Sequence, residues 1–600
     1  MSEPVEFYTE KKKETNKYIE RLRKIARRQS LIRVVFFLLA ISALYALVKP
    51  LPVVAGSLTV LFFALLIITA MRHQNTQRRI KRSKVLQSLI NKELKALEGS
   101  FSGFSNGITH LDKTHPYAND LDIFGEGSLF QRMNRTFSEQ GSKQLAHRLT
   151  NPKGDSDTIE KIQQGVQELS GKPQWMLNFR TTGEMMPGDI DERNLLAFFG
   201  ESYKQYRKKT LSYILYLVPF LTLVMLGLTI AGTMSFSLFI LYLLIVPGGI
   251  SLKYINTNNH IHNKLGRQAK RLQLYSHLLG YLEKEDWNSR EMRDLHQKSQ
   301  THGKEASAVI QQLTTILDRF DYRLHMIAGV LLNIFLLWDI RMVRSLEFWK
   351  EAHAPHVETW LSVLNEIEVL VSQAVFSHNH PEYIFPEPAD DVLLQAVNAG
   401  HPFIPGKKRV GNPIDFTGWD EFMIITGGNM AGKSTYLRTV GINLVLAMTG
   451  SPVCADKFRF KPMTLITSIR SDDSLQENES LFYAELKKLR DIIQKLENGE
   501  KLFLLLDEIL KGTNSADKQK GSLALLRQLL RYKTSGAIAT HDLAVGNLAD
   551  DFPDAIQNHC FEIEIQGENL HFDYKLRKGI ARNLNASFLM RRMGITLEEE

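Results

Sequence analysis

From position 210 to position 252 the chain carries no charged side chain at all. Such a stretch has few ways to fold: in water it must be covered on every side, and in a bilayer it can stand as helices whose backbone groups bond internally. It divides into two apolar runs, 211–230 and 236–252, joined by the small turn Ala231-Gly232-Thr233-Met234-Ser235. About 20 apolar residues cross the hydrocarbon core, with about 17 as a low limit. Both runs are therefore long enough to span. Lys204, Arg207, Lys208 and Lys209 precede them, and Lys253, Lys264, Arg267, Lys270 and Arg271 follow. Basic residues on both outer flanks place the ends of this hairpin in the cytoplasm. A helical hairpin buried in a soluble domain is the alternative, and the length of chain without one charge argues against it.

A second pair of apolar runs lies nearer the N-terminus, at 34–48 and 51–71, separated by Lys49-Pro50. The later run is long enough to span; the earlier one reaches only if Arg33 and Lys49 snorkel to the interfaces. A cleaved signal peptide does not fit, because no small-residue cleavage site precedes Lys49 and another apolar run follows at once. Residues 1–84 hold 17 Lys+Arg against 5 Asp+Glu, a larger excess than the whole-chain charge of +9. The basic surplus thus belongs to the membrane flanks, and the rest of the chain is slightly acidic, which removes bulk charge as a reason to expect nucleic acid. Two cysteines, Cys454 and Cys560, cannot build a disulfide framework, which fits a reducing cytosol. Together these features predict an integral protein of a cytoplasmic (inner) membrane with both termini and all large segments in the cytoplasm. One further apolar stretch, 326–338, contains Asn333, is too short to span, and is predicted to be a core helix.

Outside the hairpins, 159–169, 268–283, 306–323 and 357–376 carry apolar residues at spacings of three and four, the helical period. Three parts are predicted: a membrane-anchor hairpin over 1–109, a helical domain over 110–385 with the other hairpin inserted, and a C-terminal domain over 386–600. The Pro-bearing stretch 381–388 marks the last boundary.

The C-terminal part carries the chemistry. Gly427-Gly428-Asn429-Met430-Ala431-Gly432-Lys433-Ser434 fits G-x-x-x-x-G-K-[ST], and Thr435 follows. Glycines let the backbone curl so that successive N–H groups face a phosphate, and the helix that follows adds its positive end. The residues before the loop, 422–425, read as a buried strand and those after it, 436–448, as a helix, which is the context the motif needs. In this pattern Lys433 reaches the β/γ-phosphates and Ser434 ligates Mg²⁺. The apolar run Leu502-Phe503-Leu504-Leu505-Leu506 ends in Asp507 and Glu508, placing two carboxylates at the C-terminal end of a strand buried on both faces. Asp507 is expected near the metal and Glu508 on the attacking water. The pairing predicts a nucleoside-triphosphatase using Mg²⁺.

The residues resemble a specific family, the MutS ATPases of DNA mismatch repair. The resemblance is carried by Thr426-Gly427-Gly428-Asn429-Met430-Ala431-Gly432-Lys433-Ser434-Thr435-Tyr436-Leu437-Arg438, by Asp507-Glu508-Ile509 with the following Gly512-Thr513-Asn514-Ser515, and by Ala539-Thr540-His541. It extends upstream to Gly127-Ser128-Leu129-Phe130, Asn134-Arg135-Thr136 and the helix around 360–374, covering roughly 110–200 and 310–595. It implies ATP as the nucleotide, a helical core and lever domain, and a C-terminal P-loop ATPase domain of the ABC type. With the four transmembrane helices in two hairpins read from the apolar runs, the expected fold class is α plus α/β. The resemblance also implies a homodimer through the ATPase domains, with Ser480, Asn514 and Ser515 at the shared nucleotide and His541 sensing the γ-phosphate. DNA is the partner the family implies. The departures are equally specific: the family's N-terminal mismatch-reading domain has no counterpart in 1–100, and Leu510-Lys511 replace the usual Gly-Arg. A membrane-tethered, ATP-driven switch acting on a protein or membrane partner, with lipid around its spans, is therefore carried as the alternative. A transporter is disfavoured by the scarcity of polar groups within the spans.

Overall fold

The computed structural model describes residues 3–47, 49, 51–152, 154–186, 188, 192–265, 269–301, 303–470, 481–510, 514–566 and 569–581. The chain opens with two long helices, α1 (Glu3–Leu47) and α2 (Pro52–Leu97), broken at the Lys49 turn. Pro52 starts α2 at a position where its missing N–H costs nothing. The apolar part of the pair is packed inside out relative to a soluble hairpin. The small residues Ala40, Ala43 and Ala55 are buried at the seam, while Val34, Phe37, Leu38, Val60 and Phe63 are exposed. Small residues at the seam let two backbones approach closely, the pattern of helices packing in lipid.

Below its apolar half, α2 continues as a stalk that docks on the helical domain. Its Glu93 is fully buried and accepts from Arg135 Nε and Nη2 at 2.7 and 3.1 Å, from Asn379 Nδ2 at 3.0 Å, and pairs with Arg180 Nη2 at 2.6 Å. Arg180 lies on helix α3 (Pro173–Gly183). Burial alone would raise the Glu93 carboxyl, but the two guanidiniums hold it down at about 2. Tyr8, Leu89, Ile90 and Leu177 form an apolar cluster around the same joint.

The other apolar pair is α4 (Lys209–Ile230) and a longer path made of α5 (Phe236–Leu243), a π turn Leu244–Gly248, and α6 (Gly249–Leu265). Both paths carry an internal proline, Pro219 and Pro247. A proline has no N–H for the carbonyl four residues back. For Pro219 that carbonyl belongs to Leu215, and it accepts instead from the Arg341 guanidinium. The π turn absorbs Pro247. By length and composition, four helices of the described residues are apolar enough to cross a membrane, and at most 17% of the apolar window of any of them is buried.

The stretch 326–338 departs from expectation. Helix α7 (Met326–Leu336) forms, but among its residues only Gly329 is buried, and Met326 and Ile327 are 84% and 74% exposed. Apolar composition predicted a core helix; the helix instead lies on the outside. It ends at Leu337, whose left-handed backbone (φ 51°) turns the chain by 76° into the long helix α8 (Trp338–Asn379). Asn333 bridges the break: its Nδ2 donates to Gly329 O at 3.0 Å and its Oδ1 accepts from Asp339 N at 3.0 Å.

Helix α8 runs the length of the helical domain. Near its far end Gln373 Nε2 donates to Thr449 O and Ser451 Oγ, both at 2.8 Å, just beyond helix α9 (Lys433–Met448). The C-terminal region holds a six-stranded sheet. Its strands are β1 (Phe422–Gly427), β2 (Thr464–Ser468), β3 (Leu502–Asp507), β4 (Ser535–Thr540), β5 (Ile556–Phe561) and β6 (Leu576–Lys578), in the order β6-β5-β1-β4-β3-β2. All neighbours are parallel except β6, which runs antiparallel at the edge. A four-stranded sheet that includes Leu394–Ala399 and Asn412–Phe416 lies beside it. The segment 117–149, expected with the helical domain, shares its core with this region. Leu121 lies so close to Gly441 that a Cβ there would approach its side chain to 2.8 Å, and Asp120 accepts from Thr467 Oγ1 at 2.7 Å.

Candidate active site

The site forms where parallel strands end, as open α/β sheets dictate. Strand β1 is wholly buried and delivers the loop 427–432, and β3, two strands away, delivers Asp507 and Glu508. Strand β4 lies between them, with Ala539 opposite both Ile425 and Asp507. His541 follows at the same edge. The loop needs its glycines at two points. Gly427 has φ +154°, and a Cβ there would lie 2.7 Å from Phe561 O; Gly432 has φ +112° and begins α9. Met430 takes a left-handed φ of 64° without being glycine and projects into solvent.

Lys433 is buried beneath the loop, and its Nζ donates to Gly427 O at 2.8 Å and Gly428 O at 3.0 Å. Burial pulls its pKa down, opposed by the nearby Glu508 and Asp507 carboxylates. A cavity of about 570 Å³ opens over the loop, lined by Gly428, Asn429, Met430, Ala431, Gly432, Lys433, Ser434 and Thr435 together with Asp507 and Glu508. Glu508 has a left-handed φ of 50°, donates its N–H to Ala539 O at 2.9 Å, and holds its carboxylate 2.8 Å from His541 Nδ1. A strained backbone at the second acid turns its side chain toward the histidine and away from the strand axis.

The structure thus brings together residues 428–435, Asp507 and Glu508, with His541 joined through Glu508. Gly427 shapes the loop without lining the cavity. Asn514 is not among the residues that line the cavity; it caps helix α10 (Ser515–Arg531), accepting from Asp517 N at 2.8 Å. The Ser515 side chain, Gly512, Thr513 and Ser480 lie outside the described residues. Further lining residues had no local sequence signal, among them His401, Lys408, Asn412 and Tyr574. Only the fold gathers them. Tyr574 O accepts from Asn412 Nδ2 at 2.9 Å, tying the two sheets together at the cavity rim. Burial, then Arg438, Arg132 and Arg409, push the His401 imidazole down to about 4. It is therefore neutral at pH 7, and its Nδ1 accepts from Phe403 N at 3.2 Å, which leaves the proton on Nε2.

The donor set fits a magnesium nucleotide. Among the described residues no group of three or more His, Cys, Asp or Glu side chains stands ready to hold a metal. A Mg²⁺ shared with phosphates needs only one or two protein oxygens, and Ser434 and Asp507, which line the same cavity, would be able to supply them. The cavity volume lies within the range of small-molecule sites.

The family model for MutS domain V matches residues 423–590, which take in the loop, both acids and His541. Residues 423–590 thus carry a MutS domain V. Relatives include the DNA mismatch repair protein MutS of Fusobacterium nucleatum, 30% identical over 234 residues, covering 37% of this chain and 26% of that protein. MutS protein homolog 4 of Homo sapiens is 28% identical over 242 residues, 38% of this chain and 25% of its own length. The MutS protein of Thermotoga maritima is 28% identical over 230 residues, 38% and 29% respectively. The chain therefore spans about a quarter of the length of the curated relatives it matches. The MutS resemblance lies in the domain that holds the cavity; the four apolar helices all precede the matched residues.

Proposed function

We propose that this MutS-family protein is a membrane-anchored ATPase that binds and hydrolyses ATP at an interface between two copies. The observation that carries this is the convergence of Lys433, Ser434, Asp507 and Glu508 on one cavity at the carboxyl edge of a parallel sheet. Lys433 releases the carbonyls of residues 427 and 428 to hold the β/γ-phosphates, and the first turn of α9 offers backbone N–H groups without intrahelical partners. Ser434 and Asp507 would hold a Mg²⁺ brought in with the nucleotide, which would supply charge neutralisation. Glu508 orients or deprotonates water once its bond to His541 is exchanged for substrate. Membrane anchoring rests on four helices whose apolar residues face outward, with basic clusters at their ends.

The relatives' names carry DNA mismatch repair, and a DNA-bound role in repair is the family-implied reading. The alternative is an ATP-driven switch working on a protein or membrane partner. A specific observation favours the alternative. Helix α8 opens against the apolar hairpin, with Arg341 donating into the backbone of α4, so that this end of the helix adjoins lipid. The basic surplus flanks the apolar spans, where anionic headgroups attract it.

Two measurements test the proposal. Glu508→Gln should retain ATP binding and lose turnover by about a hundredfold or more, the usual cost of removing one such group; near-normal turnover would remove Glu508 from the role. Competition between mismatched and fully paired duplexes, with and without ATP, should show less than about tenfold preference, or roughly 1.4 kcal/mol. A larger preference for the mismatch would restore the repair reading.

A further inference from the structure

We propose that helix α7 is a third membrane-contacting element: an interfacial helix lying against the α4–α5 hairpin, its outward face covered by lipid acyl chains of the cytoplasmic leaflet. This rests on the hairpin itself being in a membrane. At 1.5 Å per residue, α7 is about 16 Å long, too short to cross a hydrocarbon core of about 30 Å but long enough to lie in its boundary.

The outward face is wholly apolar. Met326, Ile327, Val330 and Leu331 are all exposed, with Leu324 just before them. The one polar side chain inside the helix, Asn333, spends its amide on Gly329 O and Asp339 N. Gly329 packs so closely on the preceding turn that a Cβ would lie 2.4 Å from Arg323 O, so the helix is pressed onto the protein by its inner side. Such a surface is costly in water, where large contiguous apolar patches are rare unless something covers them.

What covers it follows from continuity. Helix α7 packs against α4 and the π turn, whose own outward residues, Tyr213, Tyr216 and Phe220 on one and Leu244 and Ile245 on the other, are exposed and apolar. The three surfaces form one belt. Charged and aromatic groups gather at the base of α7, as at a membrane–water boundary. Arg323 pairs with Asp339 at 3.3 Å, and His262 meets Asp321 at 2.9 Å. Tyr322 stacks on Trp338 with centroids 6.4 Å apart, and Trp338 Nε1 donates to Arg319 O at 2.8 Å. Arg341 lies 5.5 Å from the Tyr216 ring centre while reaching Leu215 O. His325, at the start of the helix, is the one exposed polar side chain on the element, and a helix lying in the boundary leaves it at headgroup level.

The test is spin-label accessibility on the full chain in liposomes of neutral and anionic phospholipid. Nitroxides are placed one at a time by Ile327→Cys and Val330→Cys, with Phe220→Cys as the hairpin reference and Glu358→Cys on α8 as the aqueous reference. Cys454 and Cys560 are buried, so the unsubstituted chain reports the background. Positions 327 and 330 should match 220, with oxygen collisions exceeding those of a water-soluble nickel chelate, and 358 should show the reverse. If 220 reads as lipid while 327 and 330 read as water, the proposal fails and the membrane reading stands. If 327 and 330 are shielded from both reagents, protein covers the helix, a second copy included, and the proposal fails again. If 220 itself reads as water, the membrane reading fails and takes this one with it.

Discussion

His401 shows how a residue without a motif is given a role by its surroundings. Burial and three arginines depress its pKa from the usual 6.5 to about 4, so the folded chain keeps it neutral where the unfolded chain would take up a proton. The unfolded state then binds more protons between these values, and stability falls as pH drops through that window. The penalty is complete near pH 4 and amounts to about 3 kcal/mol at most, at roughly 1.4 kcal/mol per pH unit. We expect thermal melts of the solubilised protein to fall between pH 6.5 and 4, and His401→Gln to flatten that fall. An unchanged slope would remove His401 as its cause. Glu93 contributes in the same direction but only at lower pH, because its folded value is near 2.

At the scale of elements, the proline in α4 and the arginine at the start of α8 are one device. Pro219 leaves the Leu215 carbonyl unpaired within its own helix, and Arg341 supplies the missing donor. Arg341→Met should therefore destabilise the chain by about 1–3 kcal/mol, the cost of a buried acceptor left unmade. Pro219→Ala in the same chain restores an N–H at the right position and should recover much of that loss. Failure of the double variant to recover would mean that Arg341 acts through its other contacts. The same scale explains what the sequence disclosed. The ends of the apolar runs were legible because charge and turn residues are local signals, and the strand–loop–helix around Lys433 because spacing is local too. Helix α7 was misplaced because an apolar period says that a face is covered, not whether protein or lipid covers it. Glu93 gave no sign at all: it is one acid in a polar helix, and its partners come from distant segments. Lys408, Asn412 and Tyr574 reach the cavity only because two sheets meet there.

At the scale of the whole molecule, the cavity is open and Met430 stands exposed at its mouth. A site shared between two copies accounts for a loop so uncovered, and Ser480 is the residue expected to come from the other copy. Mixing a Lys433→Ala chain with a Ser480→Ala chain should give mixed dimers with one intact composite site and partial recovery of ATP turnover. Mixed dimers shown to form yet remaining inactive would count against sharing. Helix α8 runs from the hairpin to the end of α9, so it offers a path from the nucleotide-site helix toward the apolar surface.

The joint at Glu93 has a consequence for how the protein is made. The acid is synthesised before each of these partners: Arg135 comes 42 positions later, and Asn379, whose amide completes the hydrogen bonding, comes 286 later. At about 5–20 residues per second a ribosome needs roughly 15–60 s to cover the longer interval. For that time the joint lacks its Asn379 amide donor and the end of α8, although Arg135 and Arg180 are already present to answer the charge. Completion of the joint therefore comes late in translation, when the end of α8 arrives. A chain interrupted before that point would display the incomplete joint, a mark by which quality control could tell an unfinished copy from a complete one.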